Sequence, residues 1–464
     1  ERAGDFSGNK ITIYDPLTGQ PFPRNTIPQA RFSPAAVKLL AVSPLPDPDG
    51  FTRYVIATPE NGQQYIGRMD YIHSAKHNFM FRAFENDQTN PFHSIPENIH
   101  ASRVANEQTS INASLAHNFV VSSNMIAHTQ LTGMHIKSSA KTDFPKSFRD
   151  FGVNVYAPSN DVRVAMANSG ASFDAPEKVV MNRASQELIH DWVWNKGNHT
   201  FVWGAQFAWK QYNEDTVWRS SGYFRFDGSA TGTGNIVGFD RADFMLGRFS
   251  FFTQNNGELE NRRQPTKGFY FGDTWRLTRR LTLNLGLRYE PYSFFWDTMD
   301  RNQTFDLANY QQGVKSKIFL NAPPGLLYRG DAKPGGGTFG RSVTDPDFNN
   351  LAPRVGFAWD PFGDGKTSIR SGFAIFYDAP SLRQMNNANN VSPFSYSTQF
   401  NEGIMDDPYR GREKSNRFPV TTFGPDSPFD SPLETIVLDK KYITTYTENF
   451  NFTVEREVVK DTGF

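Results

Sequence analysis

Few residue groups in this 464-residue chain could do chemistry, and a turn explains each of them more cheaply. Gly365-Lys366-Thr367 matches the end of a phosphate-binding loop, in which backbone N–H groups cradle a nucleotide's phosphates. That motif needs a glycine five positions before Gly365, and Asp360 stands there. Phe362-Gly363-Asp364-Gly365 reads instead as a turn joining two strands. Lys333 to Gly340, KPGGGTFG, is Gly-rich but lacks a strand–helix context, so it reads as loop. His73 and His77 have the spacing of a metal-ligating pair on a helix, yet they fall at a strand end and a turn. His93 and His100 lie in a Pro-containing loop. Asp345-Pro346-Asp347 and Asp47-Pro48-Asp49-Gly50 could offer oxygens to Ca²⁺, but both have turn composition. No Ser/His/Asp grouping has a nucleophile-elbow context. Cysteine is absent, which removes disulfides and thiolate metal sites. The sequence therefore points to no enzyme, no cofactor and no metal.

The informative constellation is an alternation. Leu281, Leu283, Leu285, Leu287 and Tyr289 are apolar, and Thr282, Asn284, Gly286, Arg288 and Glu290 between them are polar or tiny. In a strand, period two puts every apolar side chain on one face. Just upstream, Phe269, Phe271 and Trp275 share a parity, opposed by Gly272, Thr274 and Arg276. The connector Leu277-Thr278-Arg279-Arg280 is short, so the two strands should pair as a hairpin. Phe201, Trp203, Phe207 and Trp209 repeat the pattern, and Trp192 and Trp194 sit in the expected partner strand. Strands of about ten residues, apolar on one side and aromatic-flanked, are the signature of a transmembrane β-barrel. A soluble sandwich shows similar alternation, but its strands usually run to about five or six residues. The stripe is thus expected to face lipid or form aromatic girdles. Arg68, Asp70, Arg276, Arg288, Glu290, Arg354 and Arg370 are expected to line the lumen.

Bulk composition fits. Lys plus Arg and Asp plus Glu are both 48, so formal net charge is zero, against a general nucleic-acid binder. Hydrophobic content is 38% with mean hydropathy −0.56, low for a thick globular core, while aromatics reach 14%. That combination suggests a one-residue-thick apolar skin, with a polar lumen and polar loops. No run of about 18 apolar residues could form a transmembrane helix. The N-terminus carries neither an initiator Met nor a signal peptide, and the C-terminal Val459 to Phe464 looks like a turn. Both ends read as internal to a longer protein.

In chain order, residues 1–64 read as a long extracellular loop with one short helix, Ser33 capping Pro34 to Leu40. Residues 65–464 read as an antiparallel meander of long strands, a partial transmembrane barrel. Its hairpins are 65–74 with 78–87, 108–119 with 124–135, 186–195 with 199–212, 264–276 with 281–291, and 352–360 with 367–378. A lone strand, 445–457, follows. Turns within hairpins are short. Connections between them, 88–107, 136–185, 213–264, 292–351 and 379–444, are long, the asymmetry of periplasmic turns against extracellular loops. Asp243 to Phe252 has strand composition, but counting it would break this parity. It belongs in an extracellular loop, as a short helix folding back over the lumen. About eleven strands remain, roughly half of a 22-stranded transporter, whereas single-chain bacterial barrels normally close with an even number.

Ordered motifs then add a resemblance. Gly4-Asp5-Phe6-Ser7, Ile13-Tyr14-Asp15-Pro16-Leu17-Thr18-Gly19-Gln20-Pro21-Phe22, Ile27-Pro28 and Leu45-Pro46 resemble the first long loop of Oar-like TonB-dependent receptors. Arg68-Met69-Asp70-Tyr71, Lys76-His77-Asn78, Ala242-Asp243-Phe244-Met245-Leu246-Gly247, Leu351 to Trp359, Phe373 to Asp378, Glu448-Asn449-Phe450-Asn451 and Glu455-Arg456 are similar too. The resemblance spans nearly the whole chain. It implies an outer-membrane barrel in lipid, an upstream plug domain coupled to the TonB complex, and import of a scarce nutrient. The plug and TonB box are not in this sequence, so no coupling residue can be named. A surface barrel for adhesion or anchoring, and a soluble all-β carbohydrate-binding protein, are the competing readings.

Overall fold

The computed structural model describes residues 1–57, 59–91, 95, 97–101, 105–141, 144–175, 178–379, 381–382, 390–420, 423–429, 433–459 and 462–463. Long strands dominate it: β1 (Asn61–Ile72), β2 (His77–Asn90), β3 (Ala105–Ser122), β4 (Met125–Lys141), β5 (Val179–Lys196), β6 (His199–Thr216), β7 (Glu258–Arg276), β8 (Leu281–Tyr289), β9 (Leu351–Trp359), β10 (Thr367–Asp378) and β11 (Thr445–Val459). They pair antiparallel in sequence order within one 13-stranded sheet, completed by Trp296–Asp297 against β7 and Thr462–Gly463 against β11. The fold is all-β, as the alternation implies, and the sheet does not close on itself among the described residues.

Each short turn has a local cause. Gly197 takes φ 59° in the tight turn between β5 and β6. At β7–β8 the Thr278 hydroxyl oxygen accepts from the N–H groups of Arg280 (3.1 Å) and Leu281 (3.0 Å). The Gly-Lys-Thr stretch is a turn, as expected. Asp360 accepts from the N–H groups of Gly363 (2.7 Å) and Gly365 (3.0 Å), leaving no open phosphate cradle.

Strands run further at the long-loop end than alternation suggests. β7 begins at Glu258 rather than 264, β5 at Val179 rather than 186, and β4 ends at Lys141 rather than 135. These extensions (ELENRR, VVMNRAS, IKSSAK) lack period-two apolar residues; ladder hydrogen bonds hold them, joined in β7 by the buried Glu260–Arg262 pair. β8 stops at Tyr289, before Pro291, which has no N–H to give a ladder. The chain bulges there, and Trp296–Asp297 rejoins β7 opposite Arg263 and Arg262.

Composition misleads in one respect. A thick apolar core exists, and the long connections build it. Ser397–Phe400, Phe251–Asn255, Tyr223–Phe226, Val162–Met166 and Ser172–Ala175 form a five-stranded sheet outside the long strands. Phe144, Phe148, Phe151, Phe224, Phe226, Phe244 and Phe252 pack with it at 0–1% exposure. Much of the phenylalanine therefore serves this loop layer, where whole-chain averages dilute it. Helix α1 (Pro34–Ala41) forms where the sequence places it, with Ser33 Oγ accepting from Ala36 N–H (3.1 Å). Helix α2 (Asp240–Met245) confirms a helix at the start of the Asp243 to Phe252 stretch. Residues 248–255 are short strands paired within the loop layer, so the strand composition there was informative after all. A third short helix, α3 (Leu307–Gln311), is capped by Asp306.

The N-terminal 60 residues are irregular yet packed: Phe6, Ile13, Phe22 and Ile27 bury against Met245 and Leu246. Backbone bonds tie the same parts, Ser33 N–H to Met245 O (2.8 Å) and Met405 N–H to Gly247 O (2.8 Å). Gly247 is required there: φ is 67°, and a Cβ would meet Ser33 Cβ at 2.8 Å. Asp243 of α2 is fully buried and accepts from Thr231 Oγ1 (2.7 Å), Thr231 N–H (2.8 Å) and Ala230 N–H (3.1 Å). Burial raises its pKa from 3.8 to about 7, outweighing the three donors, which favour the ionised form. A raised folded-state value means a stabilising contribution fully present below pH 3.8 and lost as pH rises through about 7. Limited proteolysis of the 217–257 connection should therefore quicken between pH 5 and pH 8. Asp243→Asn should flatten that pH dependence; an unchanged slope would assign it to another group.

The two faces of the sheet as the candidate site

Register assigns every long-strand side chain to one of two faces. Phe269 opposes Tyr289 and Ala205, Phe271 opposes Leu287 and Trp203, and Trp203 opposes Trp192. Residues two apart along a strand, or directly opposite across strands, share a face. Trp192, Trp194, Phe201, Trp203, Phe207, Trp209, Phe269, Phe271, Trp275, Leu281, Leu283, Leu285, Leu287 and Tyr289 all lie on one face. Arg68, Asp70, Arg276, Arg288, Arg354 and Arg370 lie on the other, and Glu290, one residue past β8, continues that parity.

Among the described residues no second layer covers the apolar face. Leu287 is 48% exposed, Phe271 53% and Val355 52%. A soluble sandwich would bury these residues between two sheets. Aromatic side chains gather at two heights on this face. Near the short turns, Trp192 stacks on Trp203 (6.0 Å) and His199 on Trp275 (5.1 Å). Near the long loops, Trp209 meets Trp296 (5.4 Å) and Phe207 meets Phe269 (5.6 Å). By register Leu283 of β8 is level with Trp275, and Leu287 with Phe271 and Trp203. From Leu281 to Tyr289 the strand rises roughly 26 Å, comparable to the apolar band of outer-membrane barrels. Polar residues interrupt the face, among them Lys267 opposite Phe207, His190 opposite Ala205 and Asp273, which the parity passes over between Phe271 and Trp275. His199 Nδ1 lies 2.7 Å from the Asp273 carboxylate, at the short-turn end.

On the polar face, neighbouring strands build a network. Arg288 donates to the Gln206 amide oxygen (2.8 Å) and pairs with Glu290 (2.9 Å). Gln206 in turn donates to Glu187, and Tyr270 O–H donates to Asp191. Arg68 pairs with Asp70 (2.7 Å) on β1, and Arg370 with Glu455 (3.3 Å) near the far edge, so those do not join it. Arg354 lies over the Phe376 ring (4.8 Å). Glu187, Asp191, Gln206 and Tyr270 belong to the site but escaped sequence reasoning, which followed the apolar parity; the same alternation would have returned them. Beside the network a 520 Å³ hollow is floored by Gly272, Gly286, Gly356 and Gly372, with Asn449 and Asn451 at its rim. Gly204 is needed for close approach: a Cβ would fall 2.4 Å from Asp191 Oδ1 and 2.6 Å from the His190 carbonyl oxygen. Gly204→Val should destabilise by about 1–3 kcal/mol in urea titration of the refolded protein, since the backbone cannot step aside.

The weaker expectations resolve as turns and pairs. Asp47 and Asp49 both bind Arg53 (2.8 and 2.5 Å). Asp345 binds Lys333 of the Gly-rich loop (2.6 Å), and Asp347 accepts from Thr444 N–H (2.8 Å). His77 faces His117 (3.1 Å), and His100 meets Ser43 Oγ (2.7 Å). His93 and the terminal Lys460, Asp461 and Phe464 lie outside the described residues. No cluster of three or more metal-ligating side chains occurs among the described residues.

A sheet of this length, with one bare apolar face between aromatic bands, defines a membrane β-structure. The chain belongs to the family described as outer membrane beta barrel domain, whose model matches residues 1–464. This places the protein in the bacterial outer membrane. No curated protein matches the sequence. Among solved structures it is similar to the outer membrane transporter YddB from Escherichia coli, with 11% identity, TM-score 0.48, and 90% of this chain covering 41% of that one. It is also similar to the siderophore receptor PirA from Pseudomonas aeruginosa (11% identity, TM-score 0.39, 86% and 43% covered) and PiuA from Acinetobacter baumannii (10%, 0.40, 87% and 48%). The chain thus spans less than half the length of these structures.

Proposed function

We propose that this chain forms part of the barrel of an Oar-like TonB-dependent receptor, which imports a scarce nutrient through its lumen. The carrying observation is the unlike pair of faces: exposed leucines and tryptophans on one, a hydrogen-bonded charged network on the other. The apolar face meets acyl chains, and the polar face, with Arg68, Asp70, Arg276, Arg288, Glu290, Arg354 and Arg370, lines a wet interior. The folded loop layer captures the nutrient, and an upstream plug gates its passage under TonB control. No enzyme chemistry enters this scheme. The test deletes the gene in its host and measures growth on limiting nutrients, with and without collapse of the proton gradient. Import predicts an energy-dependent growth or uptake defect. A phenotype confined to surface attachment, with uptake intact, would favour the anchoring role.

A further inference from the structure

We infer that the loop layer carries a docking groove for an extended acidic peptide, along the free edge of the strand Ser397–Phe400. This strand ends the five-stranded loop sheet and pairs on one side only, with Phe251–Asn255 in the register Phe252 to Phe400 and Asn255 to Ser397. Among the described residues no strand covers its other side. A 570 Å³ groove lies there, lined by Ser397 to Asn401 without a gap. Residues of both pleat directions can line one groove only along an edge, where backbone N–H and C=O groups point into it. Such an edge recognises an added strand through main-chain bonds, with alternate side chains setting specificity.

The walls define those side chains. Tyr396, Thr398 and Phe400 share a face, and the 412–417 segment lies over it. Arg417 covers the Tyr396 ring (5.1 Å), Thr398 Oγ1 donates to Ser415 O (3.1 Å), and Arg412 covers the Phe400 ring (4.7 Å). Lys414, Ser415 and Arg417 from this segment line the groove; Leu433 and Glu434 complete it. Among the described lining residues, Lys414 and Arg417 against Glu434 favour carboxylates at every second position of the incoming strand, with apolar residues between. The four-residue edge limits recognition to about four or five peptide residues. The inference concerns the loop layer alone and does not depend on transport.

The probe is fluorescein-labelled acetyl-Glu-Val-Glu-Val-Glu-amide, titrated by anisotropy against the full-length protein in detergent. Saturable binding is expected, with Lys414→Glu weakening it at least roughly tenfold and turning preference toward the Lys-Val-Lys-Val-Lys counterpart. Two further peptides carry N-methyl groups on the valines or on the glutamates. One series should lose binding and the other keep it, because successive N–H groups of a strand point to opposite sides. Absent saturation, insensitivity to Lys414→Glu, or equal behaviour of the two methylated series would overturn the proposal. So would a dimer, seen by light scattering, that Lys414→Glu disperses.

Discussion

Leu285→Arg is expected to lower the folding free energy by about 2–4 kcal/mol in phospholipid vesicles, the cost of placing a cation near the middle of the hydrocarbon. Leu285 sits midway along β8, opposes Val355 on one side and Asp273 on the other, and is 41% exposed. Little protein packing is lost there, so the penalty reports the surroundings of the face. Asn284→Arg is the internal control. Its neighbour on the polar face is Thr274, whose hydroxyl donates to it (3.0 Å), and an added cation there should change stability by less than about 1 kcal/mol. Urea titrations of the full-length protein refolded into vesicles measure both. Near-equal effects of the two variants would refute the assignment of faces.

Arg262→Ala should cost about 3–5 kcal/mol, because it strands a buried carboxylate. Arg262 is 0% exposed and Glu260 1%, and they pair at 2.7 Å on the polar face near the long loops. Arg262 also donates to the Leu382 carbonyl and lies over the Phe295 ring (5.0 Å). Arg301 and Asp297, paired at 2.7 Å, belong to the same buried region. The combined variant Glu260→Gln with Arg262→Met should recover much of the loss, since neither side chain is then charged. Thermal unfolding of the three proteins checks this. A double variant as unstable as Arg262→Ala would mean that packing, not charge, is what the arginine supplies.

The long-strand sheet was legible because the bilayer imposes a strict local rule, period two with one greasy face, which Leu281 to Tyr289 obeys throughout. Register sets Arg68, Asp70, Arg276, Arg288, Arg354 and Arg370 opposite the leucine face, as parity implies, while Asp273 and Lys267 lie with the leucines. What lay hidden had no local signature. The network of Glu187, Asp191, Gln206, Tyr270 and Arg288 exists because register brings β5 to β8 level, and register follows from turns and pairing rather than from any one segment. The loop core was invisible for a related reason. Phe144, Phe224, Phe252 and Met405 meet from three separate connections, and no short window along the chain contains them together.

That meeting has a consequence for assembly order. Ala35 N–H bonds the carboxylate of Asp406, 371 residues away, across a cluster fed by nearly every long connection. Closing so distant a contact is slow, and it has little to reward it until the intervening hairpins are seated. The loop layer therefore condenses last, after the tenth strand is seated; until then its phenylalanines stand bare to water.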